Sequence, residues 1–393
     1  MRAFDILKEA RVLSRPELAK RIGLSRAAIA LVADDLLQAQ VAREVGLGDS
    51  TGGRPPVLLE FNPQAALALG ARMLDSEWGL VVTDLDAHVL EHLDIPILGT
   101  RPEAAVEALC GGVRTLLTRV DRTRVLPAIG LGTPGLVDMR AGVIISAVDV
   151  GWFEVPIRAM VEQELGMAAL VANRSKVGAL AELWCDPQPG VSEVIYISIG
   201  TGIAAGIVHD GKLYLGPNSS AGELGHVTVA ADGPLCPCGN RGCLQQLASG
   251  LAIANRAREL MRMTTGTVLH KLVGNYPERM SAQIVLTAAE QGDPLACQVV
   301  DEVAGYLGIA IANLINLLNP QLIILGGPVG QVAGVLLDPL RHEVQRRAMA
   351  YPLAATRIVI SPLGPQAGAI GAAVLVLERA SELLFGQRAD GVE

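Results

Sequence analysis

The sequence predicts an α/β protein that carries a small helical head at its N-terminus, and three observations lead there. From Ala66 onward short β-rich runs alternate with helical ones. Residues 1–62 follow a different grammar, of short capped helices and then two β-rich runs. The composition is half hydrophobic but only 3% aromatic, with 43 glycines, which suits tightly packed α/β layers. At 393 residues the chain is long enough for two or three domains, each with its own core.

The head comes first. Residues 3–10 read as a short amphipathic helix. Ser14-Arg15-Pro16-Glu17 is a capping box: Ser14 is the N-cap, Glu17 the third helical residue, and Pro16 is tolerated in the first turn. That helix reaches Arg21 and stops at Gly23, after which Ser25 caps a third helix reaching Leu37. Leu18, Ile22, Leu24, Ile29, Val32 and Leu36 supply the seam that closes the three helices on one another. Helix, glycine turn and Ser-capped helix together read as a helix-turn-helix. Val41–Val45 and Val57–Phe61 follow as strands. The Gly- and Pro-rich linker between them suits a β-wing whose Arg54 reaches a DNA backbone or minor groove. The DNA-facing positions are then Ser25, Arg26, Ala27, Ala30 and Arg54. Leu31 and Asp34 also point outward, so the third helix is poor in groups that read base edges, with Arg26 its one strong reader. A three-helix packing module with a loose loop is the alternative.

In the body, Leu67–Ala71, Gly79–Asp84 and Val89–Pro96 read as strands, Pro102–Val120 as an amphipathic helix, and Ala128–Gly132 as a strand leading into Thr133-Pro134-Gly135. A second set begins at Glu193–Ile199, followed by the turn Gly200-Thr201-Gly202 and a further strand. So glycine-dense a turn beside a threonine brings backbone N–H groups close to an oxyanion or a ligand hydroxyl; an ordinary tight hairpin is the alternative. The apolar stretch from Val303 to Leu337 is broken by Asn313, Asn316, Asn319 and Pro320, and reads as a buried helix and strand rather than a membrane span.

Three of the six cysteines, Cys236, Cys238 and Cys243, fall within eight residues, ten positions after His226. Thiolates plus one imidazole make a tetrahedral zinc set, and the tight Cys-x-Cys turn with its glycines can fold around a small ion. A chance cluster or a disulfide is the alternative, although a Cys236–Cys238 bridge would be strained. No water-activating Glu or open ligand position accompanies the set, so the zinc reads as structural. Cys110, Cys185 and Cys297 are scattered and read as buried thiols.

The formal charge of −8 argues against a chain coated in nucleic acid, but it is unevenly spread. Residues 1–60 carry nine Lys/Arg against eight Asp/Glu, a near-neutral head on an acidic body, which permits a small DNA-binding module. The N-terminus is charged and amphipathic and does not read as a signal peptide, so the expected location is cytoplasmic, with no membrane partner.

Six motifs, in order, carry a resemblance. They are Thr133-Pro134-Gly135 with Asp138, Gly151-Trp152, Gly200-Thr201-Gly202, Ala221-Gly222-Glu223-Leu224-Gly225-His226, the Cys236/Cys238/Cys243 run, and Asn319-Pro320 with Ile324-Leu325-Gly326-Gly327. They resemble the ROK family of repressors, open reading frames and kinases. With the winged head, the whole chain looks like its NagC/XylR-type transcriptional repressors. The resemblance implies an actin-like, sugar-kinase-like body of two lobes around a cleft. A sugar would bind there near Glu223 and His226, the subunits would form homodimers or homotetramers, and operator DNA would be the macromolecular partner. The domains expected are residues 1–62 for the winged helix-turn-helix, 63–182 with 366–393 for the first lobe, and 183–365 for the second lobe with its zinc loop.

Two departures from the family pattern bear on activity. Family kinases carry an Asp-x-Gly-Gly-Thr phosphate loop after the first strand; this chain has Arg72-Met73-Leu74-Asp75-Ser76, with both glycines gone. Their base is the Asp of an Asn-Asp pair, whereas here Asn173 precedes Arg174, which stays protonated and cannot accept a proton. The expectation is therefore no enzyme. The resemblance also implies the ligand contacts: Asn173, Glu223 and His226 match, Arg174 replaces an Asp, and Gln245 stands where a second Glu falls. A guanidinium in place of a carboxylate points to an altered ligand bearing a carboxylate or phosphate. The alternative is a pocket that no longer binds anything, with Arg174 paired to Glu223.

Overall fold

The computed structural model describes residues 2–48, 55–74, 76–330 and 334–386. The head contains α1 (Arg2–Ala10), β1 (Val12–Ser14), α2 (Arg15–Ile22), α3 (Arg26–Gln38), β2 (Ala42–Leu47) and β3 (Val57–Phe61). Ser14 and Glu17 form the reciprocal box: Ser14 Oγ accepts from the Glu17 N–H at 3.3 Å and Glu17 Oε2 accepts from the Ser14 N–H at 3.0 Å. Gly23 ends α2 in the left-handed region at φ +82°, which a side chain there would oppose. Ser25 then caps α3 by accepting from the Ala28 N–H at 3.2 Å.

The head differs from expectation in two places. Val12–Ser14 is a strand, too short to show periodicity, and makes the sheet three-stranded in the order β1-β3-β2. Leu24 is left 39% exposed outside the seam, because α2 has already ended; the core is instead Phe4, Leu7, Leu18, Ile29, Ala33 and Leu36 under Leu59 and Phe61. Ala27, Leu31 and Asp34 face outward, and Ala30 is half-buried. Arg54 lies outside the described residues, as does the Arg26 side chain, although the Arg26 backbone opens α3.

The body is built on two five-stranded sheets. The first takes β4 (Leu67–Leu74), β5 (Glu77–Thr83), β6 (Val89–Pro96), β7 (Val125–Thr133) and, after a small sheet of β8 (Leu136–Asp138), β9 (Val143–Ala147) and β10 (Trp152–Val155), β11 (Ala168–Asn173). Its order is β11-β7-β4-β5-β6, parallel across the first three strands and antiparallel beyond. Helices α4 (Pro102–Leu116) and α5 (Ile157–Leu165) cover it, and α6 (Arg174–Cys185) leads away from it. The second sheet takes β12 (Val194–Ile199), β13 (Ile203–His209), β14 (Lys212–Tyr214), β15 (Leu322–Gly326) and β16 (Arg357–Ile360), in the order β14-β13-β12-β15-β16. Between its strands run α7 (Leu244–Ala248), α8 (Gly250–Met261), α9 (Leu269–Val273), α10 (Ala282–Glu290), α11 (Pro294–Leu318), α12 (Gly327–Gly330), α13 (Gly334–Arg347) and α14 (Ala350–Ala355). After β16 the chain returns to the first sheet through α15 (Ala367–Leu377) and ends, among the described residues, with α16 (Ala380–Phe385).

Small residues decide how closely these layers approach. A Cβ on Gly130 would overlap the carbonyl of Ala372 and one on Gly371 the carbonyl of Val177, so β7, α15 and α6 stack backbone against backbone. Helix α11 is long and apolar enough to cross a membrane by length and composition, yet 61% of its apolar window is buried in the protein, as a core helix requires. Of the three scattered cysteines only Cys110 is fully buried; Cys185 and Cys297 are half-buried.

Candidate functional site

A cleft of about 880 Å³ lies between the two sheets. One wall is the carboxyl end of the first sheet, with Arg72 from β4, Gly135 after β7, and Asn173 and Arg174 where β11 becomes α6. The other is the turn Gly200-Thr201-Gly202 between β12 and β13, together with Glu223, His226 and Gln245. All five residues proposed from the sequence as ligand contacts therefore line one cavity, although 72 positions separate Asn173 from Gln245.

Each is positioned by local chemistry. Asn173 is the N-cap of α6: its Oδ1 accepts from the Ser175 N–H at 2.8 Å and the Ser175 hydroxyl at 2.6 Å, and its Nδ2 donates to the Gly135 carbonyl at 2.7 Å. It is 5% exposed and holds the Thr133-Pro134-Gly135 turn against the helix, so much of its amide is committed to structure. Glu223 follows Gly222, which sits at φ +95° with its α-carbon against the Ala205 carbonyl; only glycine fits there. The Gly200 carbonyl accepts from the Gly250 N–H at 2.7 Å, fixing the Gly-Thr-Gly turn on the start of α8.

Two cations bear on this site: Arg72, read from the sequence only as the start of the altered phosphate loop, and Lys176, which sequence reasoning did not single out. Arg72 lines the cleft; its Nε is buried and without a hydrogen-bond partner among the described residues. Burial pushes its guanidinium below the usual arginine range, with Asp94 and Glu77 opposing. Lys176, one turn into α6, is 2% exposed, and burial holds its ammonium below the ordinary lysine value while Glu223 pulls it up. Arg72 lines the cleft itself, whereas Lys176 is buried behind its wall within reach of Glu223's charge. Asp75, the other charge in the altered phosphate loop, lies outside the described residues.

At the rim, His226, Cys236, Cys238 and Cys243 present ligand atoms that all lie within 4.8 Å of one another, a group able to hold a metal ion. Cys236 Sγ is 3.7 Å from His226 Nδ1, and Cys238 Sγ is 3.7 Å from Cys243 Sγ. The Asn240 backbone N–H lowers the exposed Cys238 thiol to about 7, whereas burial raises Cys243. Gln245 Nε2 donates to Cys236 Sγ at 3.7 Å, so one side chain touches both the ligand cleft and the cysteine cluster.

Two mixed sheets flanking a cleft that charged and polar side chains enter, with a cysteine-rich loop at its rim, are the architecture of the sugar-kinase-like class of two-lobed proteins. Within that class the chain belongs to the ROK family, whose model matches residues 76–379. A xylose repressor from Caldicellulosiruptor bescii is 28% identical over 370 residues, covering 93% of this chain and 92% of that protein. The crystal structure of a ROK family transcriptional regulator, a homolog of the E. coli MLC protein, superposes with a TM-score of 0.84 at 28% identity, covering 99% of this chain and 98% of that one. A glucokinase from Halalkalibacterium halodurans is 36% identical but over 271 residues, 67% of this chain and 80% of its own length.

Proposed function

We propose that this protein is a sugar-responsive, DNA-binding transcriptional repressor of carbohydrate metabolism that acts in the cytoplasm. The observation that carries the reading is the union of two parts in one chain. A three-helix, three-stranded head precedes a cleft lined by Asn173, Arg174, Glu223, His226 and Gln245. Similarity covers 93% of the chain for the repressor and 99% for the regulator, too much to leave out the whole head, whereas similarity to the glucokinase spans 67%. In this reading residues 1–62 bind operator DNA through α3, with Ser25, Arg26, Ala27 and Ala30, and through Arg54 in the linker between β2 and β3. Residues 63–182 with 366–393 form one lobe and 183–365 the other, and the effector is a sugar or sugar derivative held between them. The chain works as a homodimer or homotetramer, as two-fold operators require.

The kinase reading is set aside on chemistry. A phosphoryl-transfer base must accept a proton from the attacking hydroxyl, and Arg174 at the cleft wall cannot. The segment that should cradle a triphosphate opens with the half-buried Arg72, whose side chain packs over Gly368, in place of an open glycine loop.

Zinc is the metal that suits the cysteine cluster. Four ligands about 2.3 Å from a tetrahedral centre stand about 3.8 Å apart, close to the 3.7 Å between Cys238 and Cys243. His226, Cys236, Cys238 and Cys243 would hold it, and all four positions are filled by protein, so its part is to brace the loop carrying Glu223 and Gln245.

Two measurements test the proposal together. Selection of bound fragments from a genomic DNA pool by the full chain should yield a pseudo-palindromic sequence. A thermal-shift screen of sugars, sugar acids and sugar phosphates should find a stabilising ligand, worth about 2.7 kcal/mol at 100 times its Kd. ATP turnover with any hexose in a coupled assay would replace this reading by the kinase one.

A further inference from the structure

Helix α6 has its two ends in different parts of the molecule. Its first turn carries Asn173 and Arg174 into the cleft, with Lys176 beneath Glu223's charge. Its last turn carries Trp184, and the Nζ of Lys8, from α1 of the head, sits 3.6 Å from the centre of that ring. At 1.5 Å per residue the two ends are about 15 Å apart along the axis.

The helix has little room to absorb a displacement within itself. On one side the Val177 carbonyl lies against Gly371 of α15, with no space for a Cβ between them. On the other, Gly178 lies under the ring of the buried Tyr196, and the Ser175 backbone presses on Gly206 of β13. Close-packed contacts of this kind shift as units rather than deform. Among the described residues the head shares one continuous apolar core with the body, and two of its side-chain attachments lie outside α6. Phe4 makes an edge contact with Phe385 of α16 at 6.5 Å, and Arg11 pairs with Asp86 in the β5–β6 turn at 2.7 Å. Of these three aromatic or charged attachments, Lys8–Trp184 alone lies on an element that also forms the cleft wall.

We propose that α6 is the coupling element between cleft and head, the cleft biasing its N-terminal turn and the head reading its position through the seating of Lys8 on Trp184. This rests on the functional reading above, in that it gives the cleft a means to act on the DNA-binding part. Coupling of this kind is reciprocal: whatever loosens the Lys8–Trp184 contact must also alter the cleft.

Reciprocity makes the test independent of any effector. Amide hydrogen exchange is measured on the full chain without ligand, for the unaltered protein and for Lys8→Met, Trp184→Leu and Arg11→Ala. Lys8→Met is expected to change exchange in the cleft segments 198–203 and 222–226 by about 2- to 30-fold, the range typical of residues along a coupling route. Trp184→Leu should do the same. Arg11→Ala should loosen α1 and leave both cleft segments as they were. The idea is overturned if Lys8→Met alters only the head, or if Arg11→Ala disturbs the cleft as much as Lys8→Met does. Lys8 is half-buried, and its variant keeps the test decisive should Trp184→Leu not fold. D-xylose added to the unaltered protein in a thermal shift examines the functional reading separately. Absence of a shift rejects xylose as the ligand, and the ligand-free exchange still decides the coupling.

Discussion

Ser361 donates its hydroxyl to the carboxyl of Glu182, and this bond joins the two places where the chain crosses between the sheets. Glu182 lies in the last turns of α6, before β12; Ser361 directly follows β16, before α15. At 3% exposure Glu182 is costly to ionise, and burial raises its carboxyl from 4.5 to about 7, against the Ser361 bond that favours the charged form. The folded pKa exceeds the unfolded one, so the folded state binds more protons between about 4.5 and 7. Its stability should therefore fall as pH rises through that window. Glu182→Gln should remove this part of the slope, a change of up to about 3 kcal/mol between the ends of the window. Urea unfolding of both proteins at pH 5 and pH 8 measures it; parallel slopes would show that Glu182 is not the group responsible.

The cysteine cluster predicts metal content. Freshly purified protein should contain about one zinc per chain, and Cys238→Ser should reduce this to near none, because three ligands hold zinc far more weakly than four. Elemental analysis gives the count, and exchange of segment 222–226 should quicken in the variant. Metal-free protein with an unaltered fold would remove zinc from the account.

DNA binding predicts a salt signature. Arg54→Ala should weaken binding to all sequences alike and lower the slope of log K against log salt by about 1, as for a phosphate contact. Arg26→Ala, at the first position of α3, should instead relax discrimination at one base position, costing about 1–3 kcal/mol there. Gel shifts across a salt series distinguish these outcomes, and an unchanged slope for Arg54→Ala would take the linker out of the interface.

The charge of the cleft predicts its ligand. Arg72 and Arg174 line the cleft together with Glu77, Asp149 and Glu223, and a guanidinium at position 174 in place of the family's carboxylate favours an anionic sugar derivative over its neutral parent. Calorimetry with glucose against gluconate and glucose 6-phosphate should show the anion bound more tightly. Arg174→Asp should reverse that preference, with a loss for the anion of about 1.5–3 kcal/mol. Tighter binding of glucose by the unaltered protein would refute it.

What the sequence determined by itself lies within short stretches. The Ser14–Glu17 box, the left-handed Gly23 stop, the Ser25 cap and the spacing of His226, Cys236, Cys238 and Cys243 are local. Each is decided by hydrogen-bond or ligand geometry over fewer than twenty residues, so residue type and spacing suffice. What the tertiary structure decided is every relation across distance. Val12–Ser14 became a strand because Leu58–Glu60 offered it an edge, and Leu59 and Phe61 close the head's core while Leu24, past the end of α2, stays outside it. Asn173 turned out to be a helix cap, Arg72 became part of the cleft lining, and Lys176 came to lie buried within reach of Glu223's charge. Lys8 met Trp184 across 176 residues of chain. Such contacts depend on which layers close on one another and in what register, and the backbone-on-backbone stacking at Gly130 and Gly371 settles that only once the whole chain is packed.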